Sequence, residues 1–235
     1  LPNLLDALNS GNKNIRQLAA DQIVDRIGSE AVAEVSARLQ QILELGDEPK
    51  NETNVPQLLW ILQRLNALDD AMLNRVFEHG NERVRMHAMK VCSEVALTST
   101  VESLIRAGLR DPLPLVERAA ADAAGRHPSV DVAKEVVNAM AVCPADDVHL
   151  RHALKIALRN QLRDAAVAEW FAKSSPPPVA CLVLADVVPA VNTEAAAELA
   201  VTLIESDSLP QQQMESIIIF AAQHATGPSA LQLVQ

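Results

Sequence analysis

The sequence predicts an all-α fold, a right-handed solenoid of stacked antiparallel helix pairs. Three observations predict it. A helix-opening motif recurs at 15, 84, 116 and 150, which gives a period of about 32–35 residues. The apolar content of 49% is built from Ala, Leu and Val, with only 2% aromatic residues and no Tyr. Runs of the strand type, rich in β-branched and aromatic residues, are missing.

The repeated motif reads apolar-Arg-x-x-Ala. Its copies are Ile15-Arg16-Gln17-Leu18-Ala19-Ala20, Val84-Arg85-Met86-His87-Ala88 and Leu150-Arg151-His152-Ala153-Leu154, with Val116-Glu117-Arg118-Ala119-Ala120 as a variant. The last three anchors lie 32 and 34 residues apart, and the first lies 69 before the second, about two periods. One such period holds two helices and two turns. Asn12, Asn81 and Asp147 each stand three residues before an anchor, where a short polar side chain can accept from unpaired amides of the first turn. Asp111-Pro112 is expected to play that part in the third copy. Apolar residues then recur at i, i+4 and i+7 or i+8, a single buried stripe, and its small Ala lets a neighbouring helix come close.

Taken in order, this periodicity predicts helices near 3–9, 13–27, 30–45, 55–66, 69–78, 82–95, 98–109, 113–126, 129–142, 147–163, 165–173, 178–190, 193–205 and 210–225. Gly11, Gly28, Gly80, Gly108, Pro128, Pro144 and Pro210 punctuate them. Gly46 to Asn54 is polar and reads as a loop in a degenerate repeat. Ser174 to Pro178 reads as a stiff extended linker. The expected organisation is therefore a repeat solenoid over 1–173, a Pro-rich linker over 174–178, and divergent helical repeats or a cap over 179–235.

The net charge of −10 disfavours general nucleic-acid binding, which depends on neutralising phosphates. No apolar run approaches the roughly 18 residues of a membrane span. The sequence opens on Leu1 directly into a helical pattern, without an initiating Met, as expected of a fragment or processed chain. Cys92, Cys143 and Cys181 stand far apart in apolar registers. They form no CxxC, CxxCH or zinc spacing and read as small buried hydrophobes. No GxSxG, HExxH, Walker or GxGxxG signature is present. The acidic pairs Asp69-Asp70 and Asp146-Asp147 fall at helix starts, where they favour the positive end of the helix dipole.

The anchor motif with its preceding polar turn resembles HEAT repeats, including the HEAT-like repeats of phycobilisome lyases. The strings LLWILQRLNALDDAMLNRVFEHGNERVRMHAMKV from Leu58, LRDPLPLVERAAADAAGR from Leu109 and DVHLRHALKIALRNQLRD from Asp147 carry a narrower resemblance. They resemble the HEAT region of large planctomycete and verrucomicrobial proteins described as membrane-bound dehydrogenases or haem-binding proteins. The resemblance covers roughly residues 3 to 170. It implies a connector between a propeller-type redox domain and a cytochrome-type domain, in the periplasm or cell envelope. This chain carries neither chemical part, so no dehydrogenase or haem activity, and no cofactor, is transferred to it.

Candidate surface residues follow from the pattern. Arg16, Arg85 and Arg151 hold one place in three repeats and are expected to reach an Asp or Asn in a neighbouring turn. Arg151, Lys155, Arg159 and Arg163 recur every four residues, a drifting basic stripe on one helix. Such a stripe could hold an acidic partner, a phosphate or a nucleic-acid backbone, as HEAT-like DNA glycosylases do; a salt-bridged or solvated face is the plainer reading. His149 and His152 share a helix face, but the sequence offers no converging ligands for a metal. Trp60 and the pair Trp170-Phe171 are expected to pack in the core.

The expected function is a non-catalytic protein-interaction or spacer module, a fragment of a larger bacterial redox-type protein. Its candidate partner surface is Arg85, His149, Arg151, His152, Lys155, Arg159 and Arg163. Its partner is a protein or a neighbouring domain of the same chain. The alternative is a nucleic-acid-binding HEAT protein using the basic stripe on helix 147–163. A phycobilisome-type chromophore lyase is disfavoured by the scarcity of aromatic residues.

Overall fold

The structure, a computed structural model, describes residues 1–46, 51–206 and 208–226. Every regular element among them is helical, and no strand occurs among the described residues. This follows from a core of Ala, Leu and Val, of which Ala and Leu enter helices at little entropic cost. The chain divides into two compact units, Leu1–Leu104 and Ile105–Gln235.

The first unit holds α1 (Pro2–Ala7), α2 (Lys13–Gln22), α3 (Val32–Leu45), α4 (Asn51–Arg64), α5 (Asp70–Phe77) and α6 (Glu82–Cys92). Asn12 and Asn81 cap α2 and α6 as their spacing predicts, accepting from Asn14 N and from Arg83 N and Val84 N. Asp69 caps α5 through Met72 N. The predicted helix 13–27 is α-helical only to Gln22; Ile23–Ile27 widens into a π-helical turn and Gly28–Ala31 tightens into a 3-10 turn. Gly28 at φ 64° makes that change of direction, a conformation that costs other residues strain. The predicted loop 46–54 is corrected in part: α4 begins at Asn51, and residues 47–50 lie outside the described chain. The polar composition of that stretch reads as loop, yet residues 51–54 form the first turn of α4, and Pro56 lies inside the helix.

The division between the units falls within α7 (Ser99–Gly108). The second unit continues with α8 (Pro114–Ala124), α9 (Val130–Val142), α10 (Val148–Leu162), α11 (Ala165–Lys173), α12 (Pro178–Ala185), a 3-10 turn at Val188–Ala190, α13 (Glu194–Glu205) and α14 (Gln211–His224). Asp147, Asp164 and Thr193 cap α10, α11 and α13. At α8 the expectation for Asp111-Pro112 is corrected. Leu113 is the N-cap and Pro114 the first helical residue, while Asp111 closes the turn by accepting from Leu113 N at 3.0 Å. The expected linker is also shorter than it reads: Pro178 already belongs to α12, with Pro177 extended as its N-cap. The predicted helix 178–190 stops at Ala185, and the Pro-containing 3-10 turn follows.

Within each unit, helices two apart in the chain pack together. In the first unit α2 meets α4, α4 meets α6, and α3 meets α5. In the second α8 meets α10, α9 meets α11, α11 meets α13, and α12 meets α14. Side-chain links follow the same rule. Arg64 of α4 pairs with Asp21 of α2 at 2.8 Å. Trp60 of α4 donates to His87 of α6 at 3.0 Å. Arg75 of α5 approaches Glu44 of α3 at 3.9 Å. Thr202 of α13 donates to the Ala172 carbonyl of α11, and Gln213 of α14 to the Leu182 carbonyl of α12.

The anchors Val84, Val116 and Leu150 are buried at 0–1% exposure, whereas Ile15 is 47% exposed. All three cysteines are buried, and none forms a disulfide. Burial pushes the Cys92 thiol up to about 12, which keeps it protonated and unreactive. No described helix is long and apolar enough to cross a membrane.

Candidate interaction surface

The repeated arginines act on the backbone. Arg16 Nη1 donates to the Ser10 carbonyl at 2.7 Å. Arg85 Nη1 donates to the His79 and Gly80 carbonyls at 3.0 and 2.7 Å. Arg151 Nη2 donates to the Cys143 carbonyl at 2.9 Å. Each arginine thus reaches back over its own N-cap to the turn that precedes it. The expected acceptor, an Asp or Asn side chain, is occupied in capping the amides of the helix, which leaves the turn's carbonyls to the guanidinium. In the variant repeat Glu117 holds that place and cannot do this as an anion. Burial, with Asp147 and Asp111 nearby, pushes its carboxyl up to about 7.

The basic stripe on α10 is engaged in part, and the enclosed Nε of Arg159 has no hydrogen-bond partner. Arg151 is tied as above, Lys155 pairs with Asp186 at 2.6 Å, and Arg159 donates to Asn160 at 3.1 Å. Arg163 is exposed, as are His149 and His152. Among the described residues no group of three or more His, Cys, Asp or Glu side chains is placed to hold a metal ion.

The feature that sequence reasoning missed on this helix is Gln161, which is fully buried. It accepts from Ser129 N at 2.9 Å and donates to the carbonyls of Ala124 and His127. A polar residue in an apolar register was the available signal, because a buried amide requires partners.

In the first unit α2, α4 and α6 form a groove of about 400 Å³ lined by Gln17, Gln57, Trp60, Ile61, Arg64 and His87. Trp60 is half-buried and not a core residue, since its indole N–H needs an acceptor and finds His87 Nδ1. Burial, and to a lesser degree Lys90, lowers His87 to about 4, so the ring is neutral at pH 7 with its proton on Nε2. The hydrogen bond from Arg64 holds the Asp21 carboxyl below its usual range. In the second unit the expected Trp170-Phe171 core pair divides. Phe171 is buried at 3%, while Trp170 is 38% exposed, edge-on to Phe171, with Lys134 Nζ 4.8 Å from its ring centre.

No protein-family model matches the chain, and no curated protein matches it.

Proposed function

We propose that this chain is a HEAT-type, right-handed α-solenoid that serves as a non-catalytic protein-interaction or spacer module within a larger multidomain bacterial redox-type protein. The observation that carries the reading is the rule obeyed by its side-chain links. In each unit they fasten a helix to the helix two places on, as in Arg64–Asp21, Trp60–His87 and Thr202–Ala172. Helix pairs linked this way share one elongated interior and depend on their neighbours for stability. The groove on α2, α4 and α6 is the docking surface this reading favours, because it offers an accessible Trp beside neutral amide and imidazole groups.

The state of α10 weighs against a nucleic-acid reading. Phosphate binding draws on uncommitted cations, and on this helix Lys155 is already paired with Asp186 and Arg151 is tied to the Cys143 carbonyl.

Selection of displayed peptides against the intact chain tests the proposal. Enriched peptides should lose at least about tenfold in affinity on Trp60→Ala, the scale of an aromatic hot spot. Peptides that ignore this substitution would remove the groove from the proposal. Retention of the chain on duplex DNA at low salt would replace it with the nucleic-acid alternative.

A further inference from the structure

The groove on α2, α4 and α6 is charged at one rim and neutral along its wall. Its one guanidinium, Arg64, faces two carboxylates, Asp21 at 2.8 Å and Asp25 at 3.4 Å. One cation against two anions leaves a negative charge at this rim, in a chain whose net charge is −10. The Asp25 side chain is 65% exposed, so that charge reaches solvent.

The wall carries unused donors. Trp60 spends its only polar group, Nε1–H, on His87 Nδ1 and leaves a half-buried indole face. That bond puts the His87 proton on Nε2, which is not enclosed and meets no acceptor among the described residues. Gln57 is half-buried and makes no hydrogen bond with another described residue. A ligand that completes this wall brings acceptors and flat apolar groups, and few donors of its own.

We propose that this groove binds a proline-rich polypeptide segment in the polyproline II conformation, with a basic residue at the end that meets Asp25. The proposal rests on the groove being the chain's docking surface and names the partner that docks there. A polyproline II backbone makes no internal hydrogen bonds, so its carbonyls are free to accept from His87 and Gln57. A prolyl residue has no N–H to leave unpaired, and its ring packs against the face of an indole. An α-helical ligand would offer few free carbonyls, because its own amides use them. Strand addition needs a sheet edge, and no strand occurs among the described residues. The uncompensated carboxylate sets the sign of the flanking charge.

The test is fluorescence anisotropy of a dye-labelled octapeptide, Pro-Pro-Ala-Pro-Pro-Ala-Pro-Arg, titrated with the intact chain at low, constant ionic strength. Binding should saturate. A counterpart with Gly at every Pro should bind at least about tenfold more weakly, because it loses the rings and the preformed conformation. A counterpart ending in Glu should bind about threefold more weakly or worse, the scale of an exposed charge pair. Trp60→Ala should cost at least about tenfold. Gln57→Leu, which removes one donor, should cost about threefold. Asp25→Asn should weaken the Arg-terminated peptide and not the Glu-terminated one. The side chains of Gln57 and Asp25 reach solvent, so these two variants keep the fold and decide the matter even if Trp60→Ala disturbs it. Should displayed peptides depend on Trp60 while the octapeptide binds no better than its Gly counterpart, the groove stays a docking surface and the proline reading falls. Should no peptide depend on Trp60, both fall. Binding of the Glu-terminated peptide as tight as that of the Arg-terminated one, or unchanged affinity in both Trp60→Ala and Gln57→Leu, also overturns the proposal.

Discussion

The side-chain amide of Gln161 on α10 donates to the main-chain carbonyl of Ala124, the last residue of α8. The same amide group reaches the His127 carbonyl, and its oxygen accepts from Ser129 N, the N-cap of α9. One fully buried side chain thus satisfies the end of one helix, the start of the next and the turn between them.

Replacing Gln161 by Leu keeps the volume and strands those backbone groups. Each buried group left without a partner costs about 1–3 kcal/mol, and part of the total is recovered by relaxation or water, so a loss of about 2–4 kcal/mol is expected. Urea titration followed by circular dichroism measures it. A loss below about 1 kcal/mol would mean that Gln161 is not the fastening described here.

Much of this fold is legible in the sequence because local chemistry decides it. Asn12, Asn81 and Asp147 cap where their spacing before an apolar anchor requires. What was not legible depends on partners distant in the chain. Gln161 reads as one polar interruption in an apolar stripe until α8 is set beside it, 37 residues away. Trp60 reads as core until His87 appears as the acceptor that holds it at the surface. The basic stripe reads as a unit on a helical wheel, yet Lys155 is paired by Asp186, a residue that no local spacing brings near it. The start of α4 is not legible because residues 51–54 are polar and read as a continuation of the loop, although they form the helix's first turn.

The repeated arginines give a second test. Arg85 places one guanidinium nitrogen on two carbonyls, of His79 and Gly80. Hydrogen bonds from a charged donor contribute about 1.5–3 kcal/mol, with partly exposed ones at the low end, so Arg85→Met is expected to cost about 1–2 kcal/mol. Arg85→Lys should recover only part, since an ammonium lacks the planar fork. Thermal denaturation of the three proteins ranks them. A lysine variant as stable as the parent would show that charge alone is what the turn needs.

Glu117 predicts a pH dependence. Its folded pKa is raised from 4.5 to about 7, so the folded state holds this proton more tightly than the unfolded chain does. The associated stability is complete below pH about 4.5 and is lost as the pH rises through about 7. The group is only partly buried, and solvent screening reduces the effect to the order of 1 kcal/mol. Glu117→Gln removes the titration. The stability of the parent relative to this variant should fall between pH 4.5 and 7.5, as urea midpoints at several pH values would read it. A flat difference would mean that the carboxyl titrates as an ordinary one.

His87 predicts the opposite slope. Its pKa is lowered from 6.5 to about 4, and a depressed base contributes stability that is complete above pH 6.5 and is lost as the pH falls towards 4. The geometry ties this titration to an optical signal, because Trp60 Nε1 donates to His87 Nδ1 only while that nitrogen keeps its lone pair. In a Trp170→Phe background, which leaves Trp60 as the only indole, emission should stay constant from pH 8 to about 5 and change with a midpoint near 4. Adding His87→Gln should abolish that midpoint. A transition centred near 6.5 would place the imidazole in water, and the α4–α6 link would then not be the one described.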